Sequence, residues 1–166
     1  MRIVCDTGPL LHLREAGSLA LLGRAGRVHI PPAVQSEILI HDPRWAVERP
    51  DWVDIVPPGP AFAAEASGWL RAGLLDQGEA EALALASQLK ANWFLTDDTA
   101  ARMLAQSRGQ EVHGSLGIVL WAAATGVLDS TGAAEALIAL SRSSLWISAK
   151  VLTEARAALK RLFAEP

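Results

Sequence analysis

The sequence predicts a three-layer α/β/α sandwich around a central, mostly parallel sheet, and three observations carry that prediction. Two short apolar runs, Ile3-Val4-Cys5-Asp6-Thr7-Gly8 and Trp93-Phe94-Leu95-Thr96-Asp97-Asp98, read as buried strands that each finish in acid. Strand-like segments alternate with amphipathic helical ones, the arrangement that produces parallel crossover connections. The composition, 51% hydrophobic over 166 residues, suits one helix-rich domain with a core large enough to stand alone.

The first strand, about 2–6, leads through Thr7-Gly8-Pro9 into a helix carrying Leu10, Leu11, Leu13, Leu19 and Leu22, with Gly23 to Gly26 as its exit. Proline near the start is already shaped for a first helical turn. Val28-His29-Ile30 follows as a second strand, and Pro31-Pro32 opens a helix with Val34, Glu37 and Ile38. The Pro- and Trp-rich stretch from His41 to Pro60 reads as loop, apart from the alternating run Trp52-Val53-Asp54-Ile55-Val56, which suits a short strand. Helices are expected from Ala61 to Leu75 and from Gln77 to Ala91, a strand from Asn92 to Thr96, and a helix from Asp98 to Gln106. Glu111 to His113 forms a minimal last strand, followed by a helix opened by Ser115. Two further helices, about 131–143 and 148–164, close the chain, with Ser148 as N-cap of the last. The whole, 1–166, reads as a single domain in which about 129–166 is a helical extension.

Several function classes are excluded or disfavoured at this level. The formal net charge of −3 argues against an extended nucleic-acid-binding surface, leaving local patches at Arg14, Arg24 and Arg27, or at Arg102 and Arg108. The single cysteine, Cys5, rules out an intramolecular disulfide and thiolate-based zinc sites, and its place in an apolar strand suggests a packing role. Met1 leads straight into the first strand, and the longest apolar stretch, Leu116 to Leu128, is too short for a bilayer, so a cytoplasmic location is expected. His12, His29, His41 and His113 show no metal-ligand spacing. Neither a phosphate-binding Gly-Lys-Ser/Thr loop nor a Ser-centred nucleophile elbow occurs. The six tryptophans are scattered, as expected of core or interface packing.

The acids are the informative residues. In an open parallel sheet the carboxyl ends of central strands converge on one crevice, which would make Asp6 and Asp97 neighbours. Glu79 opens a strong helical pattern and, at about 100° per residue, falls on the side carrying Ala82, Leu83 and Ala86. Asp76 as N-cap with Glu79 three residues on also fits a capping box, and the two roles are compatible. Glu37 lies on the apolar side of its helix, where it either joins the acids or pairs with an arginine. Carboxylates gathered within about 4–6 Å raise one another's pKa unless a cation neutralises them. Oxygen-only donors favour a hard ion such as Mg²⁺ or Mn²⁺, and metal-assisted phosphodiester hydrolysis is the natural chemistry. Asp98 is either a fifth acid or the N-cap of its helix. Thr7, Thr96 and Ser115 could orient a carboxylate, Ser115 equally being a helix cap. Arg102 could meet a phosphate or form a surface ion pair.

These residues resemble a PIN (PilT N-terminus) domain, specifically the VapC-like ribonuclease toxin branch. The resemblance rests on Val4-Cys5-Asp6-Thr7-Gly8-Pro9, Pro32-Ala33-Val34-Gln35-Ser36-Glu37, the run from Leu75 to Ala86, Leu95-Thr96-Asp97-Asp98 and Gly114-Ser115-Leu116-Gly117-Ile118, in the family's order over about 1–128. It implies a parallel-sheet fold, Mg²⁺- or Mn²⁺-dependent RNA cleavage, and metal-holding acids at Asp6, Glu37, Glu79 and Asp97. It further implies a toxin blocked by a small cognate antitoxin, often as a homodimer. Two positions depart from the family pattern: Glu79 stands where many relatives have Asp, and the late acidic or hydroxyl position is Ser115. The alternatives are a catalytically inactive PIN-like interaction module and a Mg²⁺-binding receiver-like phospho-acceptor domain. Against the receiver, the only adjacent acids, Asp97-Asp98, come late in the chain.

Overall fold

The computed structural model describes residues 1–164. Five strands, β1 (Arg2–Cys5), β2 (Arg27–Ile30), β3 (Val53–Ile55), β4 (Trp93–Leu95) and β5 (Val112–His113), form one sheet in the order β3-β2-β1-β4-β5. Every neighbouring pair is parallel. Parallel strands covered on both faces need continuous apolar runs. Ile3, Val4, Cys5, Phe94 and Leu95 supply them, each with no exposed surface.

The layers on either side come from α1 (Thr7–Glu15), α2 (Ala20–Ala25), α3 (Pro32–His41), α4 (Trp45–Glu48), α5 (Pro60–Arg71), α6 (Gln77–Leu89), α7 (Thr99–Ser107), α8 (Ser115–Ala124), α9 (Ser130–Ser141) and α10 (Ala149–Phe163). The result is the expected three-layer sandwich with an all-parallel sheet. Helix α6 is the most deeply packed, with Ala82 to Ala86 all without exposed surface. Helices α9 and α10 pack on each other and on α8, and α9 also touches α1. Among the described residues no helix is long and apolar enough to cross a membrane.

Three expectations about helices need correction. The helix expected to run on from Pro9 past Leu19 is two helices, α1 and α2. Gly17, at φ +66°, takes the left-handed turn, with its N–H donated to Arg14 O and that of Ser18 to Leu13 O. Those paired bonds are a Schellman termination, which glycine at that position permits. The same device stops α5 at Arg71, short of the expected Leu75: Gly73 has φ +68°, and Leu74 N–H donates to Trp69 O. The expected loop from His41 to Pro60 contains the short helix α4, seeded by Trp45, which is fully buried and donates through Nε1 to Gln35.

Gly26 illustrates how tightly the start of the β1–β2 pairing is built. Its φ of 162° is ordinary extended backbone, yet a Cβ there would collide with the Met1 carbonyl oxygen and lie 2.8 Å from Met1 N. Because the obstacle is backbone at the start of the β1–β2 pairing, it has no rotamer in which to move away. Gly26→Ala should therefore cost about 1–3 kcal/mol, read as a lower denaturant midpoint with an unchanged slope. A midpoint equal to that of the parent would refute the close approach.

Candidate active site

In the order β3-β2-β1-β4-β5 the chain runs outward from β1 in one direction and resumes on its other side at β4. Such a reversal leaves a crevice beyond the carboxyl ends of the two strands. The register sets Cys5 opposite Leu95, and the pairing continues one step further, with Asp6 N–H donated to Leu95 O at 2.9 Å. Asp6 and Thr96 therefore leave the sheet side by side. The Asp6 carboxylate accepts from its neighbour's backbone, Thr7 N, at 2.7 Å and from Thr96 Oγ1 at 3.1 Å. It is only 5% exposed. Burial pushes its pKa up to about 7; the hydrogen bonds from Thr7 and Thr96 pull it down, and the charges of Glu79 and Asp76 push it further up.

Asp97 is held from two other elements. Its Oδ1 accepts from Ser115 N at 2.7 Å, and its Oδ2 accepts from Ser115 Oγ at 2.6 Å. His12 Nδ1 stands 2.7 Å from the same Oδ2. Since a carboxylate oxygen only accepts, Nδ1 carries the hydrogen. Ser115 is thus not the cap of α8 but its first residue, with Gly114 as N-cap, and Asp97 occupies a free N–H of that helix start from outside. Gly114 lets both side chains close in, because a Cβ there would lie 2.6 Å from Asp97 Oδ1 and 2.9 Å from Arg102 Nη2 and would push them aside.

Glu37 accepts from Thr7 Oγ1 and, at 3.1 Å, from Gly78 N. The alternative of an arginine partner is not realised among the described residues. Gly78 lets α3 and α6 meet here, since a Cβ would fall 2.5 Å from Glu37 Oε1. Glu79 completes the capping box, accepting from Asp76 N at 2.9 Å while its own N–H donates to Asp76 Oδ1 at 2.9 Å. Burial raises its pKa, opposed by the Asp76 N–H bond, and the charges of Asp76, Asp98 and Glu37 raise it further. Asp98 caps α7 by accepting from Ala101 N at 2.8 Å, and its own N–H donates to Thr96 Oγ1. Asp6, Glu37, Glu79 and Asp98 therefore lie around one rim, whereas Asp97, between Thr96 and Asp98 in the chain, is bonded to Ser115 and His12 and not to the other acids. Thr7 joins Asp6 to Glu37, Thr96 joins Asp6 to Asp98, and Glu79 is close enough to feel the charge of Asp98 and Glu37.

Positive charge is scarce at this rim. Among the described residues Asp6, Glu37, Glu79 and Asp98 form no ion pair, and Asp97 faces only His12. The candidate basic patches are largely neutralised: Arg14 pairs with Asp42 and Glu48, Arg27 with Asp54, and Arg108 with Glu65. Arg102 makes no ion pair among the described residues and donates instead to Thr96 O at 3.1 Å and Val112 O at 3.5 Å. Also among the described residues, no three carboxylate, imidazole or thiolate groups stand together closely enough to hold an ion between them. Cys5 lies beneath the rim, fully buried as expected, its thiol pKa raised by burial and by the charges of Asp6 and Asp97.

Sequence reasoning overlooked His12, Gly78 and Gly114. His12 carries a usable signal, because positions 8 and 12 share a helix face and α1 starts immediately after Asp6.

The raised Asp6 pKa has a definite sign. In the unfolded chain this carboxyl ionises near pH 4, whereas in the folded one it keeps its proton up to about pH 7. The folded state binds the extra proton in that interval, so stability falls as pH rises from about 4 through 7, by roughly 4 kcal/mol in total. Metal-free Asp6→Asn should accordingly melt above the parent at pH 8, with the gain shrinking towards pH 4. Equal shifts at both pH values would contradict a carboxyl held neutral by its site.

A family model described as a PIN domain matches residues 2–161, a span that takes in α9 and most of α10. No curated protein matches the chain. With the all-parallel sheet, the reversal between β1 and β4 and the acids at that crevice, this match places the chain in the PIN-domain family, whose members are generally nucleases.

Proposed function

We propose that this PIN domain is a metal-dependent endoribonuclease that hydrolyses RNA phosphodiester bonds, with Asp6, Glu37, Glu79 and Asp97 as its acid set and Mg²⁺ or Mn²⁺ as cofactor. The observation that supports this most is the burial of Asp6 beside Glu79 with no cationic side chain paired to either among the described residues, so that ionising both gathers negative charge with nothing to offset it. A divalent cation is the simplest group that relieves it. The donor set is all oxygen, suited to a hard ion, and each carboxylate keeps acceptor capacity on at least one oxygen, which for Asp97 is Oδ1, since its Oδ2 already takes bonds from Ser115 and His12. Asp6, Glu37, Glu79 and Asp97 would hold the ion, with Asp98 beside them. Such an ion supplies Lewis-acid stabilisation of charge on a phosphoryl oxygen and eases deprotonation of water.

The chain's own groups do the positioning. Ser115 and His12 fix the Asp97 carboxylate from both sides, Thr96 orients Asp6, and Thr7 holds Glu37. In the reaction a water oxygen bonds to phosphorus, the bond from phosphorus to the leaving sugar oxygen breaks, and that oxygen takes up a proton. Residues 1–166 act as one unit in this reading, with about 129–166 as an added helical layer. The role of toxin with a small antitoxin partner, the cytoplasmic location and a homodimer rest on the sequence resemblance. Co-expression with the product of a small neighbouring reading frame, followed by co-purification and light scattering, tests the partner and the dimer together.

A second reading, an inactive PIN module that only binds, draws on one observation: no three of the candidate donors already stand at ion-holding distance. The two readings separate in one assay. With Mn²⁺ present, the parent should cleave single-stranded RNA and EDTA should stop it. Asp97→Asn should lower the rate by about 10²–10⁴-fold, as expected for loss of one preorganised charged group, with its circular dichroism spectrum unchanged. Absence of metal-dependent cleavage by the parent would establish the binding-only module.

A further inference from the structure

Of the six tryptophans, five are buried or half-buried, whereas Trp146 is 84% exposed. It sits in the connector between α9 and α10, and that connector is anchored. The Glu15 carboxylate accepts from Ser144 N at 2.6 Å and from Ser144 Oγ at 2.9 Å, tying the connector to α1. Leu145 and Ile147 pack against the core on either side, and Ser148 caps α10. With its neighbours packed inward and the backbone pinned, the indole is held in the open.

The ring lines a cleft of about 360 Å³ that also takes in Asp97, Arg102, Gly114 and Leu120. One concavity thus holds a carboxylate of the candidate acid set, a cation with no carboxylate partner among the described residues, and an exposed aromatic face. Its size falls at the lower end of the roughly 300–1,000 Å³ of small-molecule sites. A carboxylate, a cation and an aromatic face in one cleft match, in turn, the reacting centre, a backbone phosphate and a base of one nucleotide.

We infer that this cleft is a nucleotide subsite: it takes one unpaired ribonucleotide beside the scissile phosphate, with Arg102 meeting a phosphate oxygen and Trp146 stacking on the base. The identity of the ligand rests on the ribonuclease reading above. Stacking on a side chain requires a base out of its duplex, so the subsite selects single strands.

The test uses the full chain and a 5′-fluorescein dodecamer of single-stranded RNA, bound in EDTA and followed by anisotropy, with cleavage measured separately in Mn²⁺. Trp146→Ala should weaken binding roughly five- to hundredfold, the range of a lost base–aromatic stack, and raise KM with little change in kcat. Trp146→Phe should restore most of the affinity. Arg102→Gln should lower the number of ions released on binding by about one. Because Trp146 is outside the core, Trp146→Ala should melt with the parent. The same strand annealed to its full complement as a blunt duplex should compete poorly.

If the parent cleaves RNA and Trp146→Ala shows unchanged KM and affinity, the subsite is wrong while the nuclease reading survives. If the parent binds the dodecamer through Trp146 but never cleaves it, the nuclease reading fails and the subsite stands. Equal competition by the blunt duplex, or no binding by the parent, overturns the subsite; in that case the exposed indole is a contact for a protein.

Discussion

Everything at the candidate site depends on the parallel pairing of β1 with β4. Because Cys5 lies opposite Leu95, the residues that follow, Asp6 and Thr96, leave the sheet in step, and all other acids are placed relative to that pair. A one-residue slip would turn Asp6 to the other face. The pairing is secured by burial: beyond the exposed Arg2 that opens β1, the two strands are apolar and buried, and α6 lies against both. A hydrophobic constraint with no interest in chemistry therefore dictates which carboxylates meet.

The same constraint creates the electrostatic problem. Asp6 is buried because the strand that carries it is central, and Glu79 comes near because α6 covers the sheet. The protein answers with hydrogen-bond donors: Thr7 and Ser115 each offer two to carboxylates, and the Thr96 hydroxyl and the Gly78 backbone one each. Such donors moderate the repulsion without cancelling it, and Asp6 remains shifted towards its neutral form. The residual charge is stabilising only in the presence of a counter-ion, which ties the folding energetics of this rim to whatever cation it meets.

Most of the fold was legible from pattern alone, since all five strands and the long helices follow from apolar runs broken by turn residues. Legibility failed at the Schellman glycines. Gly17 and Gly73 interrupt stretches that keep a helical apolar pattern on both sides, so the pattern runs through a stop that only backbone geometry reveals. Helix α4 was hidden for the opposite reason, its four residues being too few to show a period. The acids were readable because strand ends and a helix-facing glutamate stand out in sequence. What holds them was not, because Gly78 and Gly114 act by the side chain they lack, and His12 reaches Asp97 across 85 positions.

The burial of Cys5 has a practical consequence. The chain's single sulfhydryl is sealed under two acids that disfavour the thiolate, so alkylating reagents and mild oxidants have nothing to attack. Towards maleimides the protein should behave as though it had no cysteine. A cysteine installed on the surface would then be a unique handle, allowing a dye or cross-linker to be attached at one chosen point without first replacing Cys5.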